Sequence, residues 1–180
     1  MGRDEPEKPD QKRQDELYET AISQFGASLA RLLRGYEADE EKRRDLSQEI
    51  HFQLWRSLGA FDERCSLRTW VFRVAHNAAA SYVAREKRTA GRWTALEDME
   101  LPSTASGQES KAGRNRQLEM LSILIQQLKP LDRQVIILYL EELDARSIAE
   151  ITGLRAANVA MKIHRIKRLL GQQFAEDQSS

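Results

Sequence analysis

Apolar residues recur at helical spacing along most of the chain and nowhere alternate at strand period for long. From Leu17 the series Leu17, Ala21, Phe25, Leu29, Leu32 and Tyr36 marks a first helix. A second runs over about 40–58, with Leu46, Ile50 and Leu54 on one side, Phe52 and Trp55 on another, and Gly59 to stop it. A third starts near Ser66, whose hydroxyl can cap it, and continues to about Arg88 with a stripe of Leu67, Val71, Val74, Ala78 and Tyr82. Further on, Leu118, Leu121, Ile125 and Leu128 mark a fourth helix. Pro130 opens a fifth carrying Val135, Leu138 and Tyr139. A short helix over 147–151, a tight turn at "TGL" and a final helix over 155–174 complete the pattern.

Two stretches break it. Residues 1–14 are charged, hold Pro6 and Pro9 and lack apolar period, which predicts a disordered tail. The segment "TAGRWTALEDMELPSTASGQESKAGRNR" is rich in Gly, Ser, Thr and acid and reads as a tether. The predicted fold class is all-α: two small helical domains, 15–90 and 117–174, joined by a flexible linker over 91–116, the C-terminal domain being a helix-turn-helix.

Composition narrows the function. No run approaches the roughly 18 apolar residues of a membrane span, and the charged N-terminus lacks a signal-peptide core. The expectation is a cytoplasmic protein without membrane insertion. Cys65 is the lone cysteine and has no partner for a disulfide. It reads as a bystander thiol, with redox sensing the sharper alternative. His51, His76 and His164 are scattered over separate helices, so neither a metal site, a cofactor nor a catalytic set is expected.

Charge is zero overall but unevenly spread. Residues 42–92 carry 11 cations against 5 acids, and residues 153–170 carry 5 cations and no acid. Two separated basic blocks are either two solvated faces or two places where a polyanion docks. In the second block, Ala149 permits close approach of two helices and Gly153 permits the turn between them. Val159, Ile163, Ile166 and Leu170 face inward on the last helix. Ala157, Asn158, Met161, His164, Arg165 and Arg168 face outward, with Lys162 at the edge. Without acids that face suits a major groove, though it could also be a solvated surface or a partner-binding stripe. On the third helix, Trp70 falls off the apolar stripe and lines up with Arg73, Asn77 and Arg88. Arginines hold phosphates, an aromatic stacks on an unpaired base and asparagine reads a base edge. Trp70 can equally pack beneath the preceding helix, leaving the arginines merely solvated.

The stretch "DLSQEIHFQLWRSLGAFDERCSLRTWVFRVAHNAAASYVAREKR" resembles region 2 of the extracytoplasmic-function (group IV) sigma factors of the sigma-70 family. The likeness is carried by Asp45, Gln48, Glu49, Trp55, Phe61, Thr69, Trp70, Ala75 and Asn77. The terminal "SIAEITGLRAANVAMKIHRIKRLL" resembles region 4 of the same group. The resemblance implies a factor that binds core RNA polymerase, recognises the minus-ten and minus-thirty-five promoter elements and promotes melting. It has no chemistry or cofactor of its own. It assigns Asp45, Gln48, Glu49, Phe52 and Trp55 to the β′ clamp helices, with the β flap as a second polymerase contact. It places the minus-ten strand near Phe61, Arg68, Trp70, Arg73, Asn77, Arg85, Lys87 and Arg88. It places the minus-thirty-five duplex near Arg155, Asn158, Ala160, Met161, Lys162, His164, Arg165 and Arg168. Ala160 and Met161 stand where the family usually has a basic and a small polar residue, so no base consensus carries over. The group is commonly held by an anti-sigma protein, which the linker would permit. The competing reading is a stand-alone helix-turn-helix regulator whose N-terminal bundle senses a ligand or dimerises.

Overall fold

The computed structural model describes residues 9–93 and 111–177, and every element among them is an α-helix. In chain order these are α1 (Pro9–Tyr36), α2 (Glu40–Leu58), α3 (Leu67–Trp93), α4 (Lys111–Gln127), α5 (Pro130–Leu140), α6 (Ala145–Thr152) and α7 (Ala156–Asp177). None of them is long and apolar enough to cross a membrane.

Local chemistry sets the boundaries. The Asp39 carboxylate accepts from the Lys42 N–H at 2.9 Å and caps α2, whose first turn holds Glu40 and Glu41 against the positive end of the helix dipole. The Ser66 hydroxyl accepts from the Thr69 N–H at 3.1 Å, as expected for the start of α3. Pro130 occupies the first turn of α5, where its missing N–H costs nothing. Asp144 caps α6 through the Ser147 N–H at 2.7 Å, so that helix begins ahead of the expected 147.

Two expectations fail at element ends. Residues 9–14, expected within a disordered tail, belong to α1. The Gln14 amide donates to the Trp55 carbonyl at 2.7 Å and Arg13 pairs with Glu63 at 3.0 Å, so tertiary partners hold this polar turn. Residues 91–93 and 111–116, expected in the linker, extend α3 and α4. The remainder of that linker lies outside the described residues.

Helices α1, α2 and α3 pack mutually. Their core holds Leu29, Leu32 and Tyr36 from α1, Leu46, Ile50, Leu54 and Leu58 from α2, and Val71, Phe72, Ala75, Ala79 and Tyr82 from α3. The stripe on α3 is wider and rotated from the expected one. Phe72, His76 and Ala79 are fully buried, while Leu67, Val74 and Ala78 are only partly so. The cause is that α3 is covered by α6 as well as by α1 and α2. Helices α5, α6 and α7 form a second bundle around Val135, Leu138, Ile148, Val159 and Ile166.

The two bundles share one continuous buried cluster. The Arg31 guanidinium grips Glu141 with two hydrogen bonds of 2.6 and 2.7 Å. Gln126 donates to the Arg34 carbonyl at 2.8 Å, and the Arg133 guanidinium lies 5.7 Å from the centre of the Tyr36 ring. Gly35 marks a close approach here: a Cβ would come within 2.7 Å of Ile137 Cδ1, so that side chain would have to shift.

Candidate nucleic-acid interface

The turn between α6 and α7 depends on Gly153, which closes α6 at φ 74°, the left-handed region. It aims α7 so that Val159, Ile166 and Leu170 are buried and Ile163 is partly buried, as the spacing predicted. Arg155, Asn158, Ala160, Met161, His164, Arg165 and Arg168 all emerge on the exposed side, Met161 at 66% exposure. Lys162 is half-buried at the margin. It donates to Asp132 of α5 at 2.6 Å, and Arg165 donates to the other oxygen of the same carboxylate at 2.7 Å. Sequence reading found no acid on this face because Asp132 arrives from another helix.

On α3 the expected row divides. Asn77, Arg85 and Arg88 are exposed, and Arg85 lies 5.3 Å from the Tyr82 ring centre. The Lys87 side chain lies outside the described residues. Trp70 is half-buried and does not stand clear of the core. Its indole N–H donates to the Ser57 hydroxyl at 3.0 Å, and its ring meets Phe61 edge-on at 5.3 Å. Phe61 itself is buried at 6% exposure, so its ring supports Trp70 from below. Arg68 lies over Phe72 and donates to the Glu141 backbone carbonyl. Arg73 points at the Glu150 carbonyl at 3.5 Å, and its Nε is buried without a partner. The two arginines nearest Trp70 are therefore covered by the loop and helix that follow α5.

The acid-rich face of α2 forms an open groove with α3. Asp45, Gln48, Glu49 and Phe52 line one wall, and Tyr82, Arg85 and Glu86 the other. Phe52 is 56% exposed, a large apolar side chain left without cover beside carboxylates. Trp55 is not part of this groove. Its indole N–H donates to Asp15 at 2.6 Å, which turns it toward α1. Sequence reasoning missed Tyr82 and Glu86 as groove residues. The 3.6-residue period could have aligned Tyr82, Arg85 and Glu86, but not opposed them to α2.

Fold and faces together define a helical protein with two bundles, one ending in a helix-turn-helix whose last helix presents a cationic outer face with no acid of its own. The family model for sigma-70 region 2 matches residues 21–89 and that for sigma-70, region 4 matches residues 118–170. The chain belongs to the sigma-70 family, in its extracytoplasmic-function group, and is a sigma factor for transcription initiation. It is 26% identical over 128 residues to RNA polymerase sigma factor YlaC of Bacillus subtilis, covering 71% of this chain and 74% of that protein. The fold is shared with two solved structures. CnrH in complex with the cytosolic domain of CnrY gives a TM-score of 0.66 at 17% identity, over 94% of this chain and 99% of the other. Sigma factor RpoE in complex with the anti-sigma factor NepR from Bartonella quintana gives 0.69 at 15% identity, over 88% and 96%.

Proposed function

We propose that this sigma factor divides promoter recognition between its bundles, acting in the cytoplasm and catalysing nothing itself. The α7 face takes the minus-thirty-five duplex, with Asn158, Met161, His164 and Arg165 toward the groove, Arg155 and Arg168 toward phosphates, and Lys162 at the margin, held on Asp132. The α3 side takes the separated minus-ten strand. Asn77 is open to a base edge, Arg85, Lys87 and Arg88 hold backbone, and Arg68 and Arg73 join once uncovered. Trp70, fixed by Ser57 and Phe61, offers a rigid aromatic wall to a base that has left its stack. The observation that carries this reading is a pair of unlike basic faces: an α7 face with no acid of its own, and exposed Asn77, Arg85 and Arg88 on the helix that also carries Trp70.

The groove between α2 and α3 is the proposed seat of the β′ clamp helices. Asp45, Gln48 and Glu49 supply polar contacts around the Phe52 anchor, and Trp55 acts behind them by holding α1. The exposed apolar residues Leu118 and Ile123 on α4 suit the β flap. Both solved relatives are complexes with a small partner, named an anti-sigma factor for NepR. An anti-sigma protein spanning both bundles is proposed here on that ground.

The test is run-off transcription with core polymerase. Trp70→Ala is expected to retain core binding and lower open-complex formation about tenfold, the loss of one stacking contact of about 1–3 kcal/mol. Arg165→Ala should leave melting intact and weaken upstream promoter engagement. Normal transcription by both variants from the cognate promoter overturns these assignments.

A further inference from the structure

Lys162 and Arg165 stand three residues apart on α7, close enough for like charges to repel each other along one helix face. Both are long side chains that lose considerable rotamer freedom when fixed. Between them lies Asp132, in the first turn of α5, its side chain only 10% exposed. Each carboxylate oxygen takes one cation, at 2.6 Å from Lys162 and 2.7 Å from Arg165. Both distances are those of strong charge-assisted bonds. Arg165 stays 54% exposed while so held, whereas Lys162 falls to 26%. The carboxylate thus fixes one Nη of Arg165 and leaves the rest of the guanidinium fork facing outward.

We infer that Asp132 is a positioning residue for promoter discrimination: it aims Arg165 at the groove and withholds Lys162 from indiscriminate phosphate contact. The inference rests on the proposed duplex-reading role of α7. A guanidinium reads a base pair only when its fork is held in the base plane, whereas a free cation attaches to any phosphate. Neutralising the carboxylate should therefore move specific and non-specific binding in opposite directions. A loss of stability would lower both.

Asp132→Asn keeps the shape and removes the charge. The probes are a minus-thirty-five duplex selected from a randomised library by the wild-type holoenzyme, and a scrambled duplex of equal length. With full-length variant bound to core polymerase, affinity for the scrambled duplex is expected to rise about threefold. Its salt dependence should steepen by about one phosphate contact. The ratio of selected to scrambled affinity should fall about tenfold, and Asp132→Glu should restore part of it. An unchanged ratio in a wild-type background that does discriminate overturns the inference and leaves the duplex-reading role standing. A parallel fall on both duplexes overturns it in favour of a purely structural acid. Absence of any selected sequence with the wild type removes the duplex-reading role and this inference with it.

Discussion

At the scale of single residues, His76 ties stability to pH. Its ring is fully buried between α3 and α1, with Nδ1 sharing a 2.9 Å hydrogen bond with the Tyr36 hydroxyl and Nε2 left without a partner. Burial pushes its pKa from 6.5 down to about 3, and burial likewise keeps the Tyr36 phenol protonated. The folded ring refuses a proton that the unfolded chain accepts below pH 6.5, so stability falls as pH drops from 6.5 toward 3. Each pH unit in that window costs about 1.4 kcal/mol. His76→Asn removes the titration. Between pH 7 and pH 5 the wild type should lose about 2 kcal/mol more than the variant in urea melts, whatever the variant's starting stability. Parallel pH profiles would show that the ring is hydrated in solution.

At the scale of elements, the helix-turn-helix hinges on one backbone angle. Gly153 sits at φ 74°, and a Cβ there would meet nothing within 4 Å. Gly153→Ala therefore carries only the left-handed penalty of about 1 kcal/mol, without a clash. Thermal melts should show a small destabilisation and retained α6–α7 packing, and loss of folding would place the glycine in a tighter role than this. That glycine, the inward series on α7 and the cap at Ser66 were all legible in the sequence, because each is a local rule written within a few residues. The buried stripe of α3 was less so: Phe72 packs on Phe25 and His76 on Tyr36, both from α1, a pairing with no local signature. The same limit hid Asp132. In the chain it reads as an acid suited to the first turn of α5, and its cations lie 30 and 33 residues away. Trp70 was read as off the apolar stripe, whereas it is half-buried against the core. Its anchors, Ser57 and Phe61, belong to α2 and the following loop, which a helical projection of α3 does not contain.

At the scale of the whole molecule, the contact between the bundles bears on when the strand-holding face can be used. Arg68 and Arg73 cannot grip phosphates while packed on the backbone carbonyls of Glu141 and Glu150. On the proposed reading the bundles must part before Arg68 and Arg73 join Asn77, Arg85 and Arg88, which are already exposed, on a strand. The strongest charged contact across the boundary is the bidentate Arg31–Glu141 pair, in which the carboxylate is 5% exposed and the guanidinium 55%. The open side of Arg31 weakens the pair by solvent screening, so removing its charge should cost about 1 kcal/mol, roughly a fivefold shift toward separation. Glu141→Gln keeps the volume and the backbone carbonyl that Arg68 uses. Energy transfer between fluorophores on α2 and α7 should report a larger separated fraction for this variant than for the wild type. Raising salt should narrow the difference, because screening acts on the wild-type pair alone. Affinity of the free protein for single-stranded DNA should rise in step, and adding both Arg68→Ala and Arg73→Ala to Glu141→Gln should abolish that gain. An unchanged separated fraction would mean that the shared apolar core holds the bundles without help from the ion pair. A gain that survives both alanine substitutions would mean that the newly exposed grip lies elsewhere.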